Sequence, residues 1–198
     1  MKSWELYNDK ADSFFESYVS IKFEDIFHDV YKYIPSAGSS CLDIGAGSGR
    51  DAAALTKMGL SVTAVEPSVG MRLKAMKHHE SLPIKWIDDS LPRLGLLQKL
   101  SLSYDFILMS AVWMHLSSNE RQEALLTTYN LLKSKGTMIL TLRLGPAEPD
   151  RMIYKISTEE ALAKAKNVGF EITYINPIKS DGLNRGDVQW QIIVLSKP

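Results

Sequence analysis

The chain has 198 residues, 45% of them apolar and 23% charged, a composition that suits one medium globular domain with a usable core. Lysine plus arginine and aspartate plus glutamate both count 23, so no basic excess is present to neutralise phosphates, which disfavours a dedicated nucleic-acid partner. A lone cysteine, Cys41, excludes an intramolecular disulfide and a cysteine-based metal site, and no stretch approaches the ~20 apolar residues of a membrane span. The opening MKSWELYNDKADSFF carries acids and no apolar run, so a signal peptide is not expected and a cytosolic setting is.

Residues 4–33 read as one or two helices dense in aromatics, ended by Pro35 and Gly38. SCLDIGA (40–46) reads as a buried strand that runs into glycines, and 50–57 as a helix stopped by Gly59. A second strand is expected at 61–67, a helix at 69–79, a third strand at 83–89 and a weaker helix at 94–99. YDFILMS (104–110) is continuously apolar after one acid, the pattern of a strand covered on both faces. A helix at 118–132 has Ser117 or Ser118 as N-cap with Glu120 closing its first turn, and 136–143 gives the fifth strand. Such alternation implies βαβ units and a parallel sheet. After a helix at 158–168, strands at 170–177 and 187–196 are separated only by a polar loop with Ser180, Asp181, Gly182 and Asn184, so they should pair as an antiparallel hairpin.

LDIGAGSGRD places Gly45, Gly47 and Gly49 between the first strand and a helix, where glycine allows a tight turn and close approach of a ligand. A dinucleotide fold wants its third glycine at position 50, which is Arg50 here. The pattern is instead Gly-x-Gly-x-Gly after Asp43, followed by Glu66 at the end of the second strand, where an acid accepts from ribose hydroxyls.

On these residues the sequence resembles the class I methyltransferases that use S-adenosylmethionine (SAM), closely over 40–143 and by topology beyond. The resemblance implies an α/β, Rossmann-like, seven-stranded mixed sheet of order 3-2-1-4-5-7-6 with strand seven antiparallel and helices on both faces. It implies one domain: an N-terminal helical cap or lid (1–35), a SAM-binding core (40–143), and a substrate-side loop with a C-terminal hairpin (144–198). Asp43, Gly45, Ala46, Gly47 and Gly49 match the stretch that wraps the methionine moiety, and Glu66 matches the ribose acid. Pro67 and Met71 would pack near the adenine, and Asp89 would accept from its amino group beside the Ser90 amide, with Asp88 as the competing residue. Ser110 and Ala111 would flank the methionine tail.

Methyl transfer from a sulfonium needs positioning and sometimes a base, so no metal cluster or protein nucleophile is required. His115, five residues past the fourth strand, is the candidate base, with packing or capping as its alternative. Were it an ordinary histidine, the rate would fall near pH ~6.5. His78 and His79 read as surface charge, and His28 as structural. Tyr7 is a candidate lid residue, with a core role as its alternative. Arg143, Arg151 and Arg185 are candidates to clamp a carboxylate or phosphate, against the plainer possibility of solvated loop arginines. The expected partner is a small-molecule acceptor methylated on oxygen or nitrogen. An RNA or protein methyltransferase, a SAM-binding module without turnover and an NAD-dependent oxidoreductase are the alternatives. Arg50 speaks against the last, and SAVW in place of an Asn/Asp-Pro-Pro-aromatic motif speaks against methylation of exocyclic base amines.

Overall fold

A computed structural model of the protein describes residues 3–183 and 185–198; Asn184, assigned above to the polar loop, and the first two residues lie outside the described residues. The aromatic N-terminal segment is broken into three short helices, α1 (Ser3–Asp9), α2 (Ala11–Val19) and α3 (Phe23–Phe27), with a 3₁₀ segment over His28–Tyr33. Then follow β1 (Ser40–Ile44), α4 (Arg50–Lys57), β2 (Ser61–Val65), α5 (Val69–His78), β3 (Lys85–Ile87), α6 (Gly95–Lys99) and β4 (Tyr104–Met109). A single 3₁₀ turn over Trp113–His115 leads to α7 (Ser118–Leu131) and the long β5 (Leu132–Leu144). After a further 3₁₀ turn at Pro149–Arg151 come α8 (Thr158–Val168), β6 (Glu171–Ile175), β7 (Lys179–Ser180) and β8 (Gln189–Ser196).

One sheet of order β3-β2-β1-β4-β5-β8-β6 results, parallel through β5 and antiparallel where β8 inserts between β5 and β6. Among the described residues the strand count is eight rather than the expected seven. The extra strand is β7, two residues of the polar loop that pair Lys179 with Trp190 and Ser180 with Gln189. Asp181 makes this possible by accepting from the amides of Leu183 and Arg185, which folds the loop tightly enough to return alongside β8.

Strand alternation divides the apolar residues between two faces. Leu42, Ile44, Ile107 and Met109 meet α7 and α8 residues such as Leu125 and Ala161 on one side. Cys41, Phe106 and Leu108 meet Phe27 and Leu55 on the other, so β4 is apolar throughout because both its faces are covered. Ser117 is the N-cap of α7, and its capping box with Glu120 is complete. Helices α1 and α2 do not join either main cluster: Phe15 and Ala11 pack on Met71 and Ala75 of α5. Asn8 fastens them there by accepting from the Ser68 hydroxyl at 2.8 Å and the Gly70 amide at 3.2 Å. Among the described residues no helix is long and apolar enough to cross a membrane.

Candidate active site

The carboxyl ends of β1, β2, β4 and β5 open into a cavity of about 340 Å³, walled also by α1, α2 and the loop around β7. That is the usual position and size of a ligand site in such sheets. At its floor Gly45 and Gly47 have positive φ, +71° and +54°, as does Gly49, the N-cap of α4, at +75°. The amides of Gly45 and Ala46 both donate to Val65 O, so the turn is tied to the end of β2. A Cβ on Gly45 would lie 2.4 Å from Val112 Cγ2, and one on Gly49 would press on His79 and Trp86.

Glu66 is buried and holds the turn from the other side: one oxygen accepts from Gly47 N at 2.7 Å, the other from Ser68 N at 2.8 Å. Burial raises its carboxyl to about 7 against those two amides and Arg72, which favour the charged form. Gly45, Ala46, Gly47, Glu66, Pro67, Met71, Asp89, Ser90, Ser110 and His115 all line the cavity; Asp43 does not. Asp43 lies fully buried behind the turn, with one oxygen lacking a partner among the described residues. Burial, with Asp51 and Glu66 nearby, raises its carboxyl well above the usual range. Of the two competing acids after β3, Asp88 faces outward and pairs with Arg72, whereas Asp89 faces the cavity. Asp89 also accepts from Ser90 N, Leu96 N and Leu97 N, fixing the start of α6.

His79 is not simple surface charge. Its Nε2 lies 3.1 Å from Ser48 O, and its ring fills the space that a side chain at Gly49 would need. His78 packs edge-on against Phe15. Sequence periodicity offered no signal for either contact, because α5 meets the turn through its last residues.

His115 sits on the 3₁₀ turn after β4 and touches both ends of the chain. Its Nδ1 lies 3.2 Å from Met152 O and its Nε2 lies 3.0 Å from Tyr7 Oη. A carbonyl can only accept, so Nδ1 carries the proton and Nε2 receives the Tyr7 hydroxyl. Burial lowers the imidazole to about 4, and Arg151 and Arg143 push the same way against the Met152 bond. The ring is therefore neutral at physiological pH and does not titrate near 6.5 as an ordinary histidine would. Burial likewise pushes the Tyr7 hydroxyl up. Just before this turn, Ala111 has φ +55° and its amide donates to Thr141 Oγ1 at 2.7 Å, a strained backbone at a cavity wall that the sequence did not disclose.

Arg143, Arg151 and Arg185 all line the cavity, and none is a fully solvated loop residue. Arg143 is buried, donates to Pro146 O and shares Glu148 with Arg151. Arg185 grips both oxygens of Asp181, at 2.9 and 2.7 Å, and Trp190 Nε1 donates to the same carboxylate.

A family model described as a methyltransferase domain matches residues 42–140, the segment from β1 to β5 that builds the cavity floor. The chain belongs to the class I SAM-dependent methyltransferase family. Its cofactor is SAM. Solved structures share the methyltransferase fold at low identity. A TehB-like SAM-dependent methyltransferase from Corynebacterium glutamicum is 19% identical with a TM-score of 0.68, covering 98% of each chain. A phosphoethanolamine N-methyltransferase 2 from Haemonchus contortus, solved with SAM, is 17% identical with a TM-score of 0.67, over 89% of this chain and 53% of that one. The [4+2]-cyclase SpnF is 15% identical with a TM-score of 0.71, over 88% and 81%. No curated protein sequence matches the chain.

The methyltransferase's residues fit SAM on independent grounds. At Gly47 a Cβ would meet only Gly45 O and Met71 Cε, both at 3.9 Å, so the turn is open on its ligand side. Glu66, buried beside it, offers oxygens suited to a vicinal diol.

Proposed function

We propose that this methyltransferase transfers a methyl group to an oxygen or nitrogen atom of a small molecule in the cytosol. One observation carries this reading: a single cavity joins the Gly45–Gly49 turn and Glu66 to His115. Gly45, Ala46, Gly47 and Ser110 would hold the methionine moiety, and Glu66 the ribose. Pro67, Met71, Asp89 and Ser90 would surround the adenine, and Asp43 would support the turn from behind. Bound SAM supplies an electrophilic methyl on a sulfonium. His115 Nε2 would take the proton from the acceptor O–H or N–H as that atom bonds to the methyl carbon and the carbon–sulfur electron pair stays with the departing neutral thioether, S-adenosylhomocysteine. A base lowered to about 4 suits a late proton transfer, because the attacking atom becomes strongly acidic only as it gains positive charge. Tyr7 yields its hydrogen bond to Nε2 when the acceptor arrives. The cavity's volume of about 340 Å³ and the balanced charge support a small acceptor over RNA or protein.

A second reading makes His115 a positioning residue for Tyr7, favoured by the fact that both ring nitrogens already have partners. Methylation of a metabolite library by wild type, His115→Ala and Tyr7→Phe separates the two. A base predicts that His115→Ala loses turnover by roughly 10²–10⁴-fold while Tyr7→Phe keeps it. A positioning role predicts equal, small losses in both. Wild-type protein that binds SAM and methylates nothing would favour a binding module.

A further inference from the structure

Arg143, Arg151 and Arg185 come from the end of β5, the following 3₁₀ turn and the loop between β7 and β8, yet all line the cavity that holds His115. Among the described residues only two carboxylates answer them: Glu148 is shared by Arg143 and Arg151, and Asp181 is taken by Arg185. Lys179 on the same wall is spent on Asp29 at 2.6 Å, and Asp25 lies exposed on α3. Three guanidiniums thus share two acids around a neutral imidazole. A positive charge left over in a partly desolvated wall is unfavourable until a counter-charge reaches it. A sulfonium cannot be that counter-charge.

We propose that the acceptor carries a carboxylate or phosphate, which docks between Arg151 and Arg185 and presents its nucleophilic atom to His115. The proposal rests on the methyl-transfer reading above and names its substrate class. Arg143 is too buried to serve directly, with its side chain 1% exposed and its terminal nitrogens committed to Pro146 and Glu148. Arg151 and Arg185 are about one third exposed. A guanidinium has five N–H donors, and Arg185 keeps one terminal nitrogen without a partner among the described residues. Asp181, itself braced by Trp190, fixes the Arg185 fork in place, so the anion meets donors that are already oriented.

The test is calorimetry on protein saturated with S-adenosylhomocysteine, using benzoate, phenyl phosphate and neutral benzamide as probes. At least one anion should bind tenfold or more tighter than benzamide, and which one does so tells carboxylate from phosphate. Arg151→Gln and Arg185→Gln should each weaken that anion fivefold or more, Arg185→Lys should weaken it less, and affinity for S-adenosylhomocysteine should stay within twofold. Both side chains are partly exposed, so the core does not depend on them, and the unchanged cofactor affinity verifies the fold directly. Binding of benzamide as tight as either anion, or no anion binding, overturns the proposal. So does an equal loss of S-adenosylhomocysteine affinity in the variants, which would assign these cations to the cofactor's own carboxylate. Wild type that fails to bind S-adenosylhomocysteine overturns the methyl-transfer reading instead, and does so before any probe is added.

Discussion

Glu66 sits where a carboxylate is costly, yet a ribose diol would ask it to be charged. Its carboxyl lies near 7 because burial outweighs two amides and a nearby arginine. Raised from 4.5, it binds a proton in the folded protein that the unfolded chain has released, so its contribution to stability is lost as pH rises from about 4.5 to about 7. Cofactor binding runs the other way, because donating hydroxyls favour the ionised form. Affinity for SAM should therefore fall as pH drops below about 7, by up to roughly tenfold per unit, and Glu66→Gln should flatten that slope while weakening binding overall. Calorimetry between pH 5.5 and 8.5 checks both, and a slope unchanged in the variant would remove Glu66 from the ribose. His115 gives the opposite expectation. With its imidazole at about 4, turnover should show no histidine break near pH 6.5, and a pH-rate profile on wild type tests this. The acids and glycines were legible at this scale because their spacing along 43–66 is local. The hydrogen bond of His115 to Tyr7 and the pairing of Arg143 with Glu148 were not, since neither a 108-residue separation nor a five-residue bend in a loop leaves a periodic trace.

The elements with a strong apolar pattern, periodic in α4 and α8 and continuous in β4, were readable from sequence almost to the residue, whereas those shaped by neighbours were not. The N-terminal aromatics give three helices because α1 and α2 are held by α5 and α3 by the sheet, and no pattern within the segment records where the support changes. β7 was invisible because two residues carry no alternation. Its existence depends on Asp181 folding the loop. Two variants test the joints. Ser117→Ala should remove the capping box of α7 and cost about 1 kcal/mol, read as a lower midpoint in urea. Asn8→Ala should release α1 from Ser68 and Gly70, so that amides in residues 3–19 exchange hydrogen faster while those of β4 keep their protection.

For the molecule as a whole, ligand linkage gives the simplest expectation. S-adenosylhomocysteine at 100 times its Kd adds about 2.7 kcal/mol, which for a chain of this size raises Tm by roughly 5–11 °C. NAD should leave Tm where it is, given Arg50 at the dinucleotide glycine position, and a thermal scan with each ligand checks it. Strand order carries a different consequence. β8, made after both its neighbours, lies inside the sheet, and among the described residues β6 pairs only with it. While the chain is being synthesised, the apolar edge of β5 and the whole of β6 must wait unpaired until β8 has left the ribosome. Until then they are open to pairing with other chains. A chain stopped before Gln189 should accordingly be found in the aggregated fraction after expression, although the Gly45–Gly49 turn, Glu66 and His115 have already been made.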